Sequence, residues 1–253
     1  MRSERPSTAR PPRASDLTFI SPGKAPKLGK PGSERYRIGI LHALANVEQW
    51  AIDTAWDNIV RFSHYNPSPT KPFPACPMPR DYFEDMVRMA CEEAKHYGWF
   101  RDRLRELGSY YGSLPVHGSI WESVQETAHT LRCRLVIVHM VQEARGLDVN
   151  PQTIANFSRV GDLDTSRMLE KVHADEITHV STGARWYRWE CDRLGLDKTE
   201  EFAGSVRKHF HGALKSPFNT QDRLAAGMEE AWYAPLGVVR NREMGQAKHL
   251  SGK

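Results

Sequence analysis

The chain has 253 residues, of which 40% are hydrophobic, and this length and composition allow one buried core. It contains no run of about 18 apolar residues, so we expect neither a transmembrane helix nor a membrane partner. The net charge of +4 is concentrated in residues 1–30, which carry +5, and the near-neutral remainder argues against a nucleic-acid partner.

Residues 1–32 are rich in Pro, Gly, Ser and Arg, a composition that buries little apolar surface. We therefore predict a disordered or extended basic lead-in, in which Thr18, Phe19 and Ile20 can pack on the domain as a strap. The first residues lack the apolar centre of a secretion signal. A cytoplasmic location is the expectation, and the Arg- and Ser-rich start leaves a mitochondrial one as the alternative.

The first helix is predicted from Ser33 to about Ser63, because apolar residues recur there with a helical period. Glu48 falls on the same stripe as Leu41 and Ile52. A carboxylate on an apolar stripe is costly to bury unless it is paired or bound to a metal. Glu48 is therefore a candidate metal ligand.

The second helix is predicted to start at Asp81, with Glu84 completing a capping box, and to stop near Gly108. Its inner face carries Glu93 and His96, which form a Glu-x-x-His pair. Positions i and i+3 of a helix lie on one side of it, so a carboxylate and an imidazole at this spacing can bind the same ion.

The third helix is predicted from about Ser119 to just before Gly146, with His139 and Glu143 on one side. Pro151 is expected to open a separate short helix.

The fourth helix, from about Asp164 to Gly195, repeats the Glu-x-x-His pair at Glu176 and His179. Glycine inside a helix costs about 1 kcal/mol relative to alanine. Gly183 therefore indicates a close helix–helix contact or a substrate channel.

The expected fold class is all-α, a ferritin-like four-helix bundle over residues 33–236 with additional short C-terminal helices. Those short helices are predicted from Thr199 to about Phe210 and from Thr220 to Trp232. A polar tail is expected over residues 237–253.

Two helices that carry Glu-x-x-His, each preceded by a helix with one inward Glu, match the di-metal site of a four-helix bundle. A single Glu-x-x-His more often lies on a solvated face, so only the ordered set is specific. Four carboxylates balance two divalent ions, and the mixed O/N set suits two Fe ions, or alternatively Mn or a Mn/Fe pair. The candidate metal ligands, which are also the candidate catalytic residues, are Glu48, Glu93, His96, Glu143, Glu176 and His179.

Other residues are candidates to support these ligands. A carboxylate commonly accepts a hydrogen bond from a ligand imidazole, and we predict that Asp175 does so for His96, with a solvated Asp175 as the alternative. Glu92 is a further candidate beside the ligands. His139 and His173 are expected to be hydrogen-bonded pocket residues.

Arg145 is interpreted as a residue at a helix C-terminus that pairs with an acid, although it could hold an anionic substrate group. The cysteines are expected to be buried free thiols. Their scattered spacing predicts neither a zinc site nor a disulfide framework. They are Cys76, Cys91, Cys133 and Cys191.

Taken together, five stretches resemble the ferritin-like family known as domain of unknown function DUF455. They are residues 42–48, 92–96, 103–108, 143–148 and 175–180. The resemblance covers roughly residues 17–236 and implies a ferritin-like bundle with the six ligands named above, but no particular reaction. The chain departs from the family pattern at Asn46, where His is expected, and at His139, where Pro is common.

The leading hypothesis is a di-iron oxidoreductase that uses dioxygen to oxidise or hydroxylate a small organic substrate. The expected partners are that unidentified substrate and an electron donor, with a homodimer as a possible assembly. Metal storage is one alternative. A metal-stabilised binding module associated with RNA modification is another.

Overall fold

The computed structural model describes residues 9–64 and 78–238. Within these ranges helices predominate and pack as a bundle, which confirms the predicted all-α class. Two short strands, β1 (Leu214–Lys215) and β2 (Gly237–Val238), pair in parallel. The helices are α1 (Glu34–Phe62), α2 (Arg80–Glu106), α3 (Ser119–Glu126), α4 (Leu131–Arg134), α5 (Ala144–Arg159), α6 (Leu163–Leu194), α7 (Lys198–His209), α8 (Thr220–Ala225) and α9 (Glu230–Tyr233).

The long helices bury their apolar faces against one another. α1 packs along α2, and α6 packs against α2 and α5. Leu41 of α1, Phe100 of α2 and Leu169 of α6 meet in one buried cluster. In the part of the chain that the structure describes, no helix is both long enough and apolar enough to cross a lipid bilayer.

The ends of the long helices follow local signals in part. The first helix begins at Glu34, next to its predicted start at Ser33, and Ser33 caps it, since the Ser33 hydroxyl accepts a hydrogen bond from the backbone amide three residues on. Gly195 ends α6 with a left-handed backbone (φ 65°), which glycine adopts without steric cost. The predicted capping box of α2 is wrong, because Pro79 occupies the cap position and Asp81 pairs with Arg185.

The third helix begins at Ser119, as predicted, but it differs from the prediction in its interior and at its end. α3 stops at Glu126, and a new helix starts after Thr130, whose hydroxyl accepts a hydrogen bond from the Cys133 amide. From Leu131 to Arg159 the chain then stays helical, passing from α4 through a π-helical segment over residues 135–143 into α5. Such widened turns are uncommon and occur frequently at functional sites.

Pro151 lies inside α5 and does not open a separate helix, so that prediction is wrong. A proline within a helix leaves the carbonyl four residues earlier without its usual donor. Here that carbonyl belongs to Leu147, and the Asn219 side-chain amide donates to it at 3.2 Å. A side chain from the N-terminus of α8 thus replaces the missing backbone bond.

The lead-in packs on the bundle where residues 9–32 are described. The backbones of Thr18 and Ile20 exchange hydrogen bonds with Val116, each at 2.9 Å, and Phe19 meets Trp50 edge to face. The predicted strap is therefore present. Residues 1–8 of the lead-in lie outside the described residues.

The C-terminal part also differs from the prediction. The single helix expected from Thr220 to Trp232 is divided into α8 and α9 by Gly227, which has a φ of 79°. Of the predicted polar tail, Gly237 and Val238 form β2, and residues 239–253 lie outside the described residues.

Candidate metal centre

Four buried side chains from α1, α2 and α6 converge in the bundle. One ligand atom from each of Glu48, Glu93, His96 and Glu176 lies within 4.8 Å of all the others. Glu93 and His96 are at most 1% exposed. Three carboxylates and an imidazole at this separation could hold a metal ion.

His179 extends this group on the side of α6. Its Nδ1 lies 3.2 Å from Glu93 Oε1 and 3.7 Å from Glu176 Oε2. The other Glu93 oxygen, Oε2, lies 3.4 Å from His96 Nδ1. Glu93 therefore lies between the two imidazoles, and five of the six predicted ligands meet.

Glu143 is the predicted ligand with the least direct connection to the others. It is the last residue of the π-helical segment and lines the same cavity as Glu48, Glu93 and Glu176. Its Oε1 atom lies 2.8 Å from His139 Nδ1, while its Oε2 atom is buried without a hydrogen-bond partner among the described residues. The structure thus brings Glu143 beside the other ligands but not into the tight group of four.

Each imidazole of the centre is paired with a carboxylate on its outer side. His96 Nε2 lies 2.9 Å from Asp175 Oδ2, as predicted, and Asp175 also accepts a hydrogen bond from Lys95. In the same way, His179 Nε2 lies 2.9 Å from Glu92 Oε2. Asp175 directly precedes Glu176 in α6 and pairs with a histidine of α2. Glu92 directly precedes Glu93 in α2 and pairs with a histidine of α6.

The outer carboxylates determine which ring nitrogen of each histidine is available to bind a metal ion. The outer carboxylates accept from Nε2–H, so the Nδ1 lone pairs of His96 and His179 point to the inner carboxylates. Both Nδ1 atoms, and Glu93 Oε2, are buried without hydrogen-bond partners among the described residues. Buried polar atoms are costly to leave unpaired. Orphaned nitrogen and oxygen donors that converge in this way fit a site for divalent metal ions.

The pKa values show how this site carries its charge without a metal. Burial, followed by the charge of Glu93, raises the pKa of Glu48 well above its ordinary value. The same two causes raise the pKa of Glu176. Burial opposes ionisation of Glu93, but the charge of His179 and a hydrogen bond from Glu48 outweigh it and lower the pKa of Glu93.

The pKa values of the two imidazoles are raised, whereas burial alone lowers the pKa of a histidine. Burial disfavours their charged forms. The nearby Glu93 carboxylate and the hydrogen bond to Asp175 nevertheless raise the pKa of His96. The charges of Glu93 and Glu176, together with the hydrogen bond to Glu92, raise the pKa of His179 well above its ordinary value. In the metal-free protein, protons on these groups therefore offset the negative charge that bound metal ions would otherwise balance.

A chain of buried polar groups leads to Glu143, although His139 Nδ1 lies close to the Glu143 carboxylate without the geometry of a hydrogen bond. The Arg134 guanidinium donates to Asn58 Oδ1 at 2.8 Å, so the Asn58 amide nitrogen faces His139 Nε2 at 2.9 Å. His139 Nε2 must then accept, which places the ring proton on Nδ1, the atom that faces Glu143. His139 is therefore a buried, hydrogen-bonded histidine, as predicted, although it does not line the cavity. Sequence analysis missed Arg134 and Asn58, because their partners lie on other helices.

His173 contacts the C-terminal segment. Its Nε2 atom lies 2.8 Å from Asp222 of α8, and none of its described contacts is with a candidate ligand. It is a hydrogen-bonded histidine, as predicted, but it ties α6 to the C-terminal segment.

A cavity of about 640 Å³ adjoins the carboxylates. Arg145, which contributes to its wall, donates to Asp148 and to the Lys215 carbonyl, as expected for a structural role. However, Arg145 lies at the start of α5 and not at a helix C-terminus.

Gly183 does not line the cavity. A Cβ atom there would lie 2.5 Å from the Cβ of His139, so Gly183 provides a close helix–helix contact.

The cysteines differ partly from the prediction. Cys133 and Cys191 are buried free thiols, but Cys91 is exposed. Cys76 lies outside the described residues. Cys133 also lies close to His129 and His209, a grouping that the spacing along the chain did not indicate.

Comparison with known proteins places this chain in a family. The family model described as "Protein of unknown function (DUF455)" matches residues 1–234. The chain belongs to the DUF455 family. It is also 31% identical over 212 residues to an "Uncharacterized protein" of Haemophilus influenzae, an alignment that covers 84% of this chain and 71% of that one. No solved structure is significantly similar to this chain, residues 1–253.

The two departures from the expected DUF455 pattern each have a structural role. Asn46 donates to the His117 carbonyl at 3.0 Å and accepts a hydrogen bond from the Tyr111 hydroxyl at 3.1 Å. It therefore holds the loop before α3 against α1. His139 faces Glu143, as described above.

Proposed function

We propose that this DUF455 protein is a ferritin-like di-metal carboxylate oxidoreductase, which oxidises or hydroxylates a small organic substrate with dioxygen. The metal pair is two iron ions, with manganese or a Mn/Fe pair as the alternative. The observation that carries the proposal is the group of buried, unpaired Glu and His atoms beside the cavity.

The positions of the side chains support a division of the ligands between two ions. Glu48 and His96 would mainly hold one ion, and Glu143 and His179 would mainly hold the other. Glu93 would bridge them, because its two oxygens face the two different imidazoles. Glu176 is the second candidate bridge, since it belongs to the group around His96 and also lies near His179.

When bound, two ferrous or manganous ions would supply two electrons to dioxygen, and an external electron donor would return the ions to the divalent state for the next turnover. The protein's own contribution is to hold four carboxylates together, whose charge of −4 balances two divalent ions. Asp175 and Glu92 orient the imidazoles by accepting from Nε2–H. Such outer carboxylates also raise the basicity of the ligand nitrogen.

The cavity supports an organic substrate with a substantial apolar part. Its wall includes many aliphatic side chains, which offer an apolar surface beside the carboxylates. Polar and charged groups that could orient a substrate also line the cavity. The aliphatic wall residues include Leu44, Val47, Val138, Val141, Leu169 and Val172, and the polar ones include Gln142, Asn150 and Lys215.

The proposal is tested by loading the metal-free protein with ferrous iron under anaerobic conditions and then exposing it to oxygen. About two iron ions per chain, oxygen consumption and new optical absorption are expected. Glu93→Gln should lose all three, because it removes a charge at the bridging position. Glu84→Gln is the matched control, since Glu84 is an exposed residue of the same helix that pairs with Arg80.

Three outcomes would contradict the proposal. No iron uptake would exclude the metal centre. Uptake without oxygen consumption would exclude dioxygen chemistry with iron. Many iron atoms per chain in a large hollow assembly would indicate storage.

A further inference from the structure

A second group of metal-binding side chains lies outside the carboxylate centre. One ligand atom from each of His129, Cys133 and His209 lies within 4.8 Å of the other two. None of the three lines the large cavity or contacts a candidate ligand of the carboxylate centre. They come from the turn after α3, from α4 and from the last turn of α7.

Both imidazoles are oriented as ligand imidazoles usually are. His209 Nδ1 lies 3.0 Å from the Glu126 carboxylate, and His129 Nδ1 lies 3.1 Å from the backbone carbonyl of the same residue. A histidine that binds a metal typically donates its other ring N–H to a carboxylate or a backbone carbonyl. With Nδ1 occupied in this way, each ring has Nε2 free for an ion.

The donor set and its burial favour a zinc-type ion. A cysteine sulfur with two imidazole nitrogens suits Zn²⁺, which commonly takes four ligands in a tetrahedral arrangement. Cys133 and His209 are buried, whereas His129 is exposed at a turn and leaves the fourth position open to water. The thiolate and the Glu126 carboxylate together balance the charge of a divalent ion.

Metal–ligand distances of about 2.0–2.3 Å place the ligand atoms of a tetrahedral site roughly 3.3–3.7 Å apart. The three ligand atoms lie within 4.8 Å of one another, so they would have to move only slightly closer together to bind one ion. His129 can provide this movement, because it lies in the exposed turn between α3 and α4.

We propose that His129, Cys133 and His209 form a second metal site, which binds a zinc-type divalent ion and joins the α3–α4 turn to the end of α7. The ion would also fix the cavity wall, since Phe210, Gly212 and Leu214 follow His209 and line the large cavity. The site is independent of the carboxylate centre, so either proposal can fail without the other.

Cobalt(II) tests this site directly in the full-length protein. Metal-free protein titrated with Co²⁺ should develop a thiolate-to-cobalt charge-transfer band in the near ultraviolet. The carboxylate centre is built from oxygen and nitrogen donors and gives no such band. Cys133→Ser should abolish the band, whereas Cys91→Ser, which changes an exposed thiol, should leave it intact.

Two further measurements guard against a variant that fails to fold. His129→Asn, which changes an exposed residue, should weaken Co²⁺ binding at this site at least about tenfold, because one of three protein ligands is lost. In the unaltered protein, Zn²⁺ should protect Cys133 from alkylation as measured by mass spectrometry. Absence of the band in the unaltered protein, its persistence in Cys133→Ser, or alkylation of Cys133 that Zn²⁺ does not slow would each overturn the proposal.

Discussion

At the level of single residues, each imidazole of the centre is held between carboxylates on its two sides. His96 has Glu93 on its Nδ1 side and Asp175 on its Nε2 side, and His179 has the corresponding neighbours Glu93 and Glu92. In each case the histidine lies on one Glu-x-x-His helix and its outer carboxylate lies on the other. Asp175 and Glu92 should therefore make similar contributions to metal binding.

We predict that Asp175→Asn and Glu92→Gln each lower the affinity for ferrous or manganous ions about 10–100-fold, because each removes the anion that orients a ligand imidazole. Calorimetric titration of the metal-free proteins measures this. Asp164→Asn is the control, since Asp164 is an exposed residue of α6 that pairs with Arg167. An unchanged affinity in both test variants would show that these carboxylates do not support ligands.

Protons and metal ions should compete for the centre. Groups whose pKa is raised retain protons in the metal-free protein at a pH where they would otherwise lose them. This applies to Glu48, Glu176, His96 and His179. Because metal ligands must be deprotonated, binding releases these protons.

The predicted result is that the apparent metal affinity rises with pH and falls as the solution is acidified from neutrality. An indicator dye in weakly buffered solution should report proton release when Mn²⁺ is added to the metal-free protein. Glu93→Gln should abolish most of this release. Metal binding that is independent of pH would contradict the assignment.

At the level of helices, the close contact between α6 and the π-helical segment depends on Gly183. A side chain there would collide with the backbone-proximal part of His139, which has little freedom to move. His139 in turn faces Glu143, so this contact sets the distance between α6 and a candidate ligand.

We predict that Gly183→Ala destabilises the protein by about 1–3 kcal/mol, because overpacking exceeds the gain in helix propensity. Gly204→Ala in α7 is the matched control. Nothing lies within 4 Å of a Cβ atom at Gly204, so this change should stabilise by about 0.5–1 kcal/mol. Urea unfolding of the metal-free proteins measures both values. Equal effects of the two substitutions would contradict the close packing.

The helices with continuous apolar stripes and strong end signals could be predicted from the sequence. Ser33 and Gly195 act through local hydrogen bonds and backbone preference, and Glu93 and His96 are related by helical spacing alone. The Asp175–His96 pair was also predictable, because it follows from the common arrangement around ligand histidines.

Features that depend on distant segments could not be predicted in this way. α5 continues through Pro151 because Asn219, 68 positions later in the sequence, supplies a donor to the Leu147 carbonyl. The π-helical segment and the chain of polar groups that leads to Glu143 through Arg134 and Asn58 likewise involve packing between helices. The cluster around Cys133 requires α7 to fold back onto α4.

At the level of the whole molecule, the carboxylate centre, the cavity and the C-terminal segment form one connected region. The cavity wall combines Val47 of α1, Val141 of the π-helical segment and Val172 of α6 with Phe210 and Phe218 from the C-terminal part. The bundle thus supplies the candidate ligands, and the segments after α6 help to enclose the space beside them.

Anomalous diffraction from crystals loaded with ferrous or manganous ions tests the central claim most directly. Two peaks about 3.5–4 Å apart are expected between Glu93 and Glu176, one near His96 and the other near His179 and Glu143. Metal density confined to other positions, or the absence of any peak among these six side chains in fully loaded crystals, would contradict a di-metal centre.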